Sequence, residues 1–404
     1  VPGNANLSST IVMNFGSDSS FAGNETAQGN ADGNGIGDFY YEPPSGYLAL
    51  CTSNLPDPEI KLPGDNFNTI IYSGDDANPR TLTGVGFQSD LTWIKSRTGA
   101  YSNQLFDAVR GVGEVLYSNN TSEEYADSAT GHLSAWTSDG YTVSGSSNTE
   151  ELNDTGQNYV AWNWLGANGT ATNEDGDITS TVSANTTAGF SIVGYTGDDS
   201  SSATVGHGLS QAPEMIILKK RSGAAQWPVG SAVANSGIDW NDYIALDKSN
   251  NSGNYPYWND TAPTSSVFSI GTDNDVNELD GTYIAYCFHS VEGYSKVGAY
   301  EGNASTDGTF VYCSFRPAFL LLKSIDGSAH WEMEDDKRDP YNLSYHSLQA
   351  NLNYAEDTST SRNGLDFVSN GFKFRSNSSN VMNGSETYLY IAFADSPFKY
   401  ANAR

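Results

Sequence analysis

The sequence predicts an all-β protein: three tandem, jelly-roll-like β-sandwich repeats of about 100 residues each, after a short irregular N-terminal segment. Three observations lead to this prediction. The chain is rich in turn-forming glycine (41 residues) and strand-forming tyrosine (24 residues). Its apolar runs are short and are bounded by Gly, Asn, Asp and Ser. The same landmarks also recur three times at nearly constant spacing.

Each repeat contains a turn glycine, then an apolar run that ends on a lysine, then a run that begins with a tyrosine. The lysine follows the glycine by 21, 22 and 21 residues, and the tyrosine follows the lysine by 64, 64 and 65 residues. The landmarks are Gly74, Lys95 and Tyr159, then Gly197, Lys219 and Tyr283, then Gly302, Lys323 and Tyr388. Three landmarks repeated at fixed intervals indicate one structural unit used three times.

These landmarks divide the chain into five segments. Residues 1–65 form an irregular segment, interpreted as the remnant of a preceding sandwich. The first β repeat covers 66–168, and 169–188 lacks an apolar period and is predicted to be a polar linker. The second repeat covers 189–290, and 291–404 holds the third repeat and a C-terminal tail.

Within the first repeat, short apolar runs predict the individual strands in order. The lysine and tyrosine runs are almost continuously apolar, so we expect them to be central strands buried on both faces. The predicted strands are 68–72, 91–95, 104–109, 140–143 and 159–164.

The charge of the chain restricts its partners. Acidic residues number 48 and basic residues 19, which gives a net charge of −29. Such a surface repels phosphate backbones and anionic lipids, so nucleic acid is not an expected partner. No apolar run approaches the roughly 18 residues that a membrane-spanning helix needs, so no membrane insertion is expected.

Two charged motifs recur between repeats. Each repeated lysine ends an apolar strand, where its cation is expected to reach solvent. Recurrence in one slot favours a structural role over ligand contact. The string Asp107-Ala-Val-Arg110 returns as Asp335-Asp-Lys-Arg338, whereas the second repeat has Ser231-Ala-Val-Ala234. Because residues three apart on a strand face opposite ways, a pair here requires a turn, and we favour an ion pair over catalysis.

Two groups of residues are candidate binding sites. Five tryptophans lie near predicted loops, where they either stack on a glycan or protein partner or anchor the loops. They are Trp136, Trp227, Trp240, Trp258 and Trp331. In the N-terminal segment, Asp32, Asn34 and Asp38 offer oxygen ligands for Ca²⁺, with an ordinary solvated turn as the alternative. No other cofactor is expected.

Recognisable catalytic motifs are missing from the sequence. The five histidines have no metal-ligand spacing, and the chain has no Gly-x-Ser-x-Gly elbow and no Cys-x-x-Cys pair. Sequence spacing alone does not show whether two carboxylates face each other. Cys287 and Cys313 lie in apolar strand patterns and are expected to be small buried hydrophobes, with a disulfide between them as the alternative.

Several strings resemble a known family. Gly86–Arg97 reads GFQSDLTWIKSR, similar to a GFQPDLVWIKNR signature, and 291–300, 315–319 and 394–404 match later motifs of that family. The family consists of virion structural proteins of tailed phages, especially marine cyanobacterial phages, called tail fibre or head fibre proteins. In its members a concanavalin-like (SPRY-type) sandwich precedes the repeats. The resemblance implies a location on the virion surface.

The expected function is that of a non-enzymatic phage virion surface protein: a fibre, spike or capsid decoration. It would act in host adsorption or particle stability through contacts with other virion proteins, a host glycan or a receptor. The alternatives are a polysaccharide depolymerase with paired carboxylates and an extracellular filament or surface-layer subunit. Because sheet edges must be hidden, we expect a homo-oligomer, with a trimer favoured. The alternative is a monomer whose three repeats form a pseudo-threefold unit.

Overall fold

A computed structural model describes residues 11–126, 132–144, 152–234, 236–377 and 381–401. The chain forms two compact units, Val1–Pro58 and Glu59–Arg404. No helix in the described part of the chain is long and apolar enough to span a membrane.

The first unit is irregular, as predicted. It consists mainly of turns, with an isolated bridge between Asn30 and Phe39 and a 3-10 turn at Thr52–Asn54. Its predicted end at residue 65 is wrong, because the second unit begins at Glu59. Ile60 is buried in the core of that second unit, and it therefore belongs with the repeats.

The second unit contains three antiparallel β repeats, called repeats 1, 2 and 3. Repeat 1 begins after a 3-10 turn at Pro63–Asp65. Its strands are β1 (Phe67–Ser73), β2 (Arg80–Thr83), β3 (Leu91–Ser96), β4 (Gln104–Asp107), β5 (Glu114–Tyr117), β6 (Tyr125–Ala126), β7 (His132–Thr137), β8 (Gly140–Ser144) and β9 (Asn158–Trp164).

Repeat 2 adds a short helix, α1 (Asn274–Asn277), and a 3-10 turn at Pro256–Trp258. Its strands are β10 (Ala171–Asn173), β11 (Ser180–Asn185), β12 (Phe190–Thr196), β13 (Ala203–Gly206), β14 (Met215–Lys220), β15 (Pro228–Ser231), β16 (Asp242–Ala245), β17 (Gly253–Asn254), β18 (Val267–Ile270) and β19 (Thr282–Phe288).

Repeat 3 includes a second short helix, α2 (Thr360–Asn363). Its strands are β20 (Ser295–Glu301), β21 (Phe310–Tyr312), β22 (Phe315–Ser324), β23 (Glu332–Asp335), β24 (Leu348–Gln349), β25 (Leu365–Val368), β26 (Gly371–Phe374) and β27 (Thr387–Pro397).

Each repeat has one large and one small sheet, and the strand order is the same in all three. The large sheets run β1-β9-β3-β4-β5-β6, then β12-β19-β14-β15-β16-β17 extended by β11 and β10, then β20-β27-β22-β23-β24. The small sheets are β2-β8-β7, β13-β18 and β21-β26-β25. The all-β sandwich prediction is confirmed. The lysine and tyrosine runs are neighbouring central strands with buried faces, as the apolar patterns predicted.

Residues 169–188 are not a linker. They contain β10 and β11, which pair with each other and extend the large sheet of repeat 2 beyond β12. The prediction failed because these strands are built largely from Ser, Thr and Asn. Ile178 and Val182 are nevertheless buried in the core of repeat 2, and threonine is a good strand former at such an edge.

The landmark tyrosines and glycines build the same turn in every repeat. Tyr159 stacks on Tyr72 with ring centroids 5.0 Å apart, and Tyr283 on Tyr195 and Tyr388 on Tyr300 repeat the contact at the same distance. The landmark glycine lies two residues after the partner tyrosine. A Cβ on Gly74, Gly197 or Gly302 would collide with the backbone carbonyl of Asp154, Glu278 or Gly384 respectively.

The repeats share a central core. Each sandwich has its own core between its large and small sheets. The other face of each large sheet packs against the other two large sheets, so that equivalent side chains meet at the centre. They are Trp93, Ile217 and Leu321 from the lysine strands, and Trp164, Phe288 and Phe393 from the tyrosine strands. The repeats therefore form a pseudo-threefold unit within one chain.

We predict that Gly197→Ala destabilises the second unit by about 1–3 kcal/mol, because the new methyl group meets the carbonyl of Glu278. Denaturant unfolding monitored by tryptophan fluorescence measures the change. Gly169→Ala is the matched control, since an added Cβ there has nothing within 4 Å. Equal stability of the two variants would contradict the close approach.

Candidate functional site

The three repeated lysines lie at the contacts between repeats, called junctions here. The prediction that their cations reach solvent is wrong, because all three side chains are buried. Each ammonium group donates hydrogen bonds to two backbone carbonyls instead. One carbonyl is in the same repeat and the other in a neighbouring repeat. Lys95 donates to Tyr101 and Asn353, Lys219 to Ala225 and Thr121, and Lys323 to Ser324 and Ser249. Repeat 1 thus binds repeat 3, repeat 2 binds repeat 1, and repeat 3 binds repeat 2.

A second side chain crosses each junction in the same direction. The Asn103 amide donates to the carbonyl of Gln349 at 3.2 Å, and at the equivalent position the Trp227 indole donates to Tyr117 at 3.1 Å. In repeat 3 the Trp331 indole donates to Ala245 at 2.9 Å. The three acceptors are themselves equivalent, since they occupy matching places in β5, β24 and β16. The junctions therefore form a closed, cyclic set.

Two of the three junctions also contain a buried ion-pair network. Between repeats 1 and 2, Arg110 pairs with Asp107, and Glu124 bridges Arg110 and Arg221. The Tyr286 hydroxyl donates to Asp107 at 2.8 Å. Burial alone would lower the pKa of Arg110, but Asp107, Tyr286 and Glu124 together hold that pKa above its ordinary value. The predicted ion pair at a turn is confirmed.

The network between repeats 3 and 1 follows the same plan. Arg338 pairs with Asp335, and Glu356 bridges Arg338 and Arg97. The Trp162 indole takes the place of the tyrosine hydroxyl and donates to Asp335 at 3.0 Å. Every member of one network thus has a counterpart in the other.

The third junction, between repeats 2 and 3, has lost the whole network from both sides. Ser231 and Ala234 replace the Asp–Arg pair, Ser252 replaces the bridging glutamate, and Ile325 and Ile391 replace the arginine and the donor ring. The backbone contact remains, since the N–H of Ser252 donates to the carbonyl of Ile325 at 2.7 Å. Losing one member would leave a buried charge without a partner, so coordinated loss is the arrangement that avoids that cost.

Asp107→Ala should cost about 3–5 kcal/mol of unfolding free energy, because it removes the nearer of the two carboxylates that pair with the buried Arg110 guanidinium. Ser231→Ala, at the equivalent position of repeat 2, removes a hydrogen bond from the Ser231 hydroxyl to the backbone carbonyl of Glu214. This change should cost about 0.5–1.5 kcal/mol. Chemical denaturation of both variants gives the comparison. Similar losses would show that the ion-pair network has no special weight.

The junction lysines also make stability depend on pH. Burial lowers the pKa of Lys219 and of Lys323 to about 8, whereas an unfolded lysine keeps its proton to about 10.4. Between these values the unfolded chain holds more protons, so the stability of the folded protein rises with pH. Relative to a Lys219→Met/Lys323→Met variant, wild-type stability should rise by up to about 1.4 kcal/mol per pH unit for each lysine between pH 8 and 10. A difference independent of pH would contradict this.

Four of the five tryptophans predicted as surface contacts are buried. Trp227, Trp258 and Trp331 have no exposed surface, and Trp240 is 6% exposed. Trp227 and Trp331 serve the junctions, and Trp240 packs edge-on against Trp258 with ring centroids 5.5 Å apart. The contact prediction is wrong for these four, because loop-flanking rings here fill cores. Trp136 is half-buried, and its predicted contact with a partner stays a prediction.

Asp32 stabilises a turn in the first unit. Its two carboxylate oxygens accept four hydrogen bonds, from the N–H groups of Asn34, Ile36 and Ala49 and from the Asn54 amide. The bond from Ala49 is the main cause that lowers the Asp32 pKa to about 2. The described residues contain no cluster of three or more His, Cys, Asp or Glu suited to a metal. These bonds give Asp32, which is 8% exposed, a role in the turn itself, and Ca²⁺ binding by Asp32, Asn34 and Asp38 stays a prediction.

The two strand cysteines are buried and free, as expected for small hydrophobic residues. Burial raises the pKa of Cys313 to about 12 and that of Cys287 above its ordinary range. They lie in the separate cores of repeats 3 and 2, so the alternative disulfide is not formed.

Repeat 3 buries two glutamates that have no counterpart in the other repeats. Glu332 accepts from Ser347 and Gln349, and Glu334 accepts from Ser344 at 3.4 Å. Burial raises the pKa of both carboxyls, that of Glu334 far above its ordinary value. Both side chains are shut away from solvent, with Glu332 2% and Glu334 0% exposed. A polymeric substrate has no access to them.

A second acidic pair lies beside an open pocket. Asp336 and Asp395 each have a carboxylate oxygen close to the same nitrogen of Arg316, at 3.6 and 3.8 Å. The two oxygens are therefore at most 7.4 Å apart. Burial raises the pKa of Asp336 to about 7. Asp395 sits at a register shift between β22 and β27 and lines a pocket of about 490 Å³.

A groove opens at the mouth of the third sandwich, between edge strands β20 and β21. Its volume is about 330 Å³, and we call it the repeat-3 groove. The lining is Val233, Lys296, Val297, Gly298, Ala299, Tyr300, Phe310, Val311, Tyr312 and Tyr390. No feature of the sequence predicted it, because its aromatic residues lie far apart in the chain and resemble strand residues elsewhere.

Comparison with protein families adds one finding. Residues 62–397 match the family described as "Domain of unknown function (DUF7483)". The chain belongs to the DUF7483 family. The match spans all three repeats, so the DUF7483 domain corresponds to the pseudo-threefold unit rather than to one sandwich. Searches among curated proteins and among solved structures found no match.

Proposed function

We propose that this protein is a non-enzymatic structural protein of a phage virion surface, acting as a fibre, spike or capsid decoration. It would serve host adsorption or particle stability through contacts with other virion proteins or with glycans. The observation that supports this most is the cyclic set of junctions. The repeats are joined to one another by the three buried lysines, by two tryptophans and by the ion-pair networks. These are the residues that stand out most in the sequence.

Such internal fastening suits a particle component that must keep its shape while presenting a surface. The resemblance of residues 86–97 and 394–404 to phage virion proteins points the same way. The central core already brings three large sheets together within one chain. This favours the alternative in which the repeats provide the threefold arrangement themselves, and a homotrimer stays a prediction.

The Asp336–Asp395 pair favours a second candidate, a polysaccharide depolymerase. One carboxyl with a raised pKa beside a second carboxyl, within about 5–10 Å, is the arrangement that glycoside hydrolases use. This candidate comes second, because Arg316 lies close to both carboxylates, where it serves as a structural counter-ion, and because Asp336 is only 6% exposed.

Antibody labelling and mass spectrometry of particles purified from cells that make this protein test the proposal. We expect the protein in the particle fraction, with label on the outside of the particles. Presence on the cell surface or in free filaments, and not in particles, would instead indicate the surface-layer alternative.

A reducing-sugar assay on host envelope polysaccharide separates the enzymatic candidate. The proposal expects no release by the wild-type protein. The control is Asp366→Asn, which changes a partly buried acid paired with Arg375. Sugar release that Asp395→Asn abolishes and that Asp366→Asn leaves intact would establish the depolymerase.

A further inference from the structure

The repeat-3 groove has two exposed aromatic rings at positions where repeats 1 and 2 have none. Phe310 and Tyr312 lie on the outer face of β21 and are 46% and 52% exposed. Residues two apart on a strand point the same way, roughly 7 Å apart. Repeat 1 has Thr81 and Thr83 at the equivalent positions of β2, beside the buried Leu82. The aromatic pair is therefore specific to repeat 3 and is not needed to form the small sheet.

The floor of the groove is also specific to repeat 3. Gly298 pairs with Tyr390 across β20 and β27, at the position where repeat 2 pairs Val193 with Ala285. The large side chain therefore lies on β27 in repeat 3, whereas in repeat 2 it lies on β12, the counterpart of β20. A Cβ on Gly298 would collide with the Tyr390 ring, so the glycine makes room for this ring, which is 1% exposed and lies beneath the groove. Two changes, on β21 and on β20 with β27, thus alter the lining of the same groove.

Polar groups at the rim are few and fixed. Lys296 donates to the carbonyl of Tyr312 at 2.7 Å, and its ammonium lies 5.6 Å from the centre of the Tyr312 ring. This contact holds β21 against β20. The backbone N–H and C=O groups of successive β20 residues point alternately toward β27 and away from it. Those of Ala299 point away from β27, into the groove. Its backbone offers one donor and one acceptor beside the aromatic rings.

We infer that the repeat-3 groove binds a glycan chain of uncharged sugars. The C–H faces of sugar rings pack on exposed aromatic rings, while their hydroxyl groups take isolated hydrogen bonds of the kind Ala299 provides. The chain carries a net charge of −29, which opposes acidic polysaccharides. This inference rests on the proposed function and names the ligand class and the site that would serve it.

A peptide added as an extra strand is the competing occupant, and the edge of β20 does not suit it. Strand addition needs a row of free backbone groups. Here the N–H of Val297 donates to Ser290 at 3.0 Å, and the carbonyl of Glu301 accepts from Thr309 at 2.7 Å. Groups on both sides of Ala299 are thus already used within the protein.

The test measures binding of purified protein to a panel of neutral oligosaccharides, with cello-, malto-, laminari- and manno-oligosaccharides as probes and alginate and chondroitin sulfate as acidic counterparts. We expect at least one neutral probe to bind, and Phe310→Thr/Tyr312→Thr to weaken it about tenfold or more through lost ring contacts. These are the residues repeat 1 uses, so the variant should fold. Tyr341→Thr is the control, because Tyr341 is 78% exposed and does not line the groove.

Three outcomes would overturn the inference: no neutral probe binds, the double threonine variant binds as well as wild type, or acidic probes bind in preference. Loss of a protein partner by the double variant, without any glycan binding, would instead indicate the peptide occupant. Failure here is distinguishable from failure of the proposed function. If the protein is found in particles but binds no glycan, only the groove inference is contradicted. If the protein binds a glycan but is absent from particles, only the virion assignment is contradicted.

Discussion

The second unit depends on a constraint met three times: the buried ammonium group of a lysine that ends a central strand must find acceptors. In each repeat one of those acceptors is a carbonyl in the neighbouring repeat. Burying an ammonium group without partners is costly, so a repeat that separated from its neighbour would need to rehydrate or deprotonate its lysine. Since the bonds run in one cyclic direction, each repeat is both donor and acceptor. Trp227 and Trp331, which cross two of the junctions, also belong to the central core, so the junctions and the core are built from shared side chains.

The junctions also show how a repeated unit can diverge without unfolding. The ion-pair network survives at two junctions with the same geometry and is replaced at the third by serine, alanine and isoleucine on both sides. Apolar replacement of a complete buried ionic network is often neutral or stabilising, whereas partial replacement is costly. Repeat 3 diverges further at its surface, with Phe310 and Tyr312 where repeat 1 has threonines. The shared scaffold thus leaves one repeat free to carry a specific site.

Much of the fold was predictable because spacing and strand periodicity are local in the sequence. The Gly–Lys–Tyr intervals identified equivalent central strands, and the Asp107–Arg110 string identified a turn with an ion pair. The fate of Lys95 was not predictable, since burial of its side chain depends on a loop 258 residues away. The burial of Trp227 and Trp331 was not predicted, because it too depends on contacts with residues distant in the sequence. Strands β10 and β11 were missed because a polar edge strand resembles a linker in composition.

The central claim is that three sandwiches behave as one closed unit. Native-state hydrogen exchange in increasing denaturant, followed by mass spectrometry, tests it most directly, with amides of β9, β19 and β27 as reporters of the three repeats. The account predicts that all three central strands exchange through one common opening with the same free energy and the same denaturant dependence. Three distinct opening free energies, with one repeat exchanging while the other two stay protected, would show independent domains and contradict it.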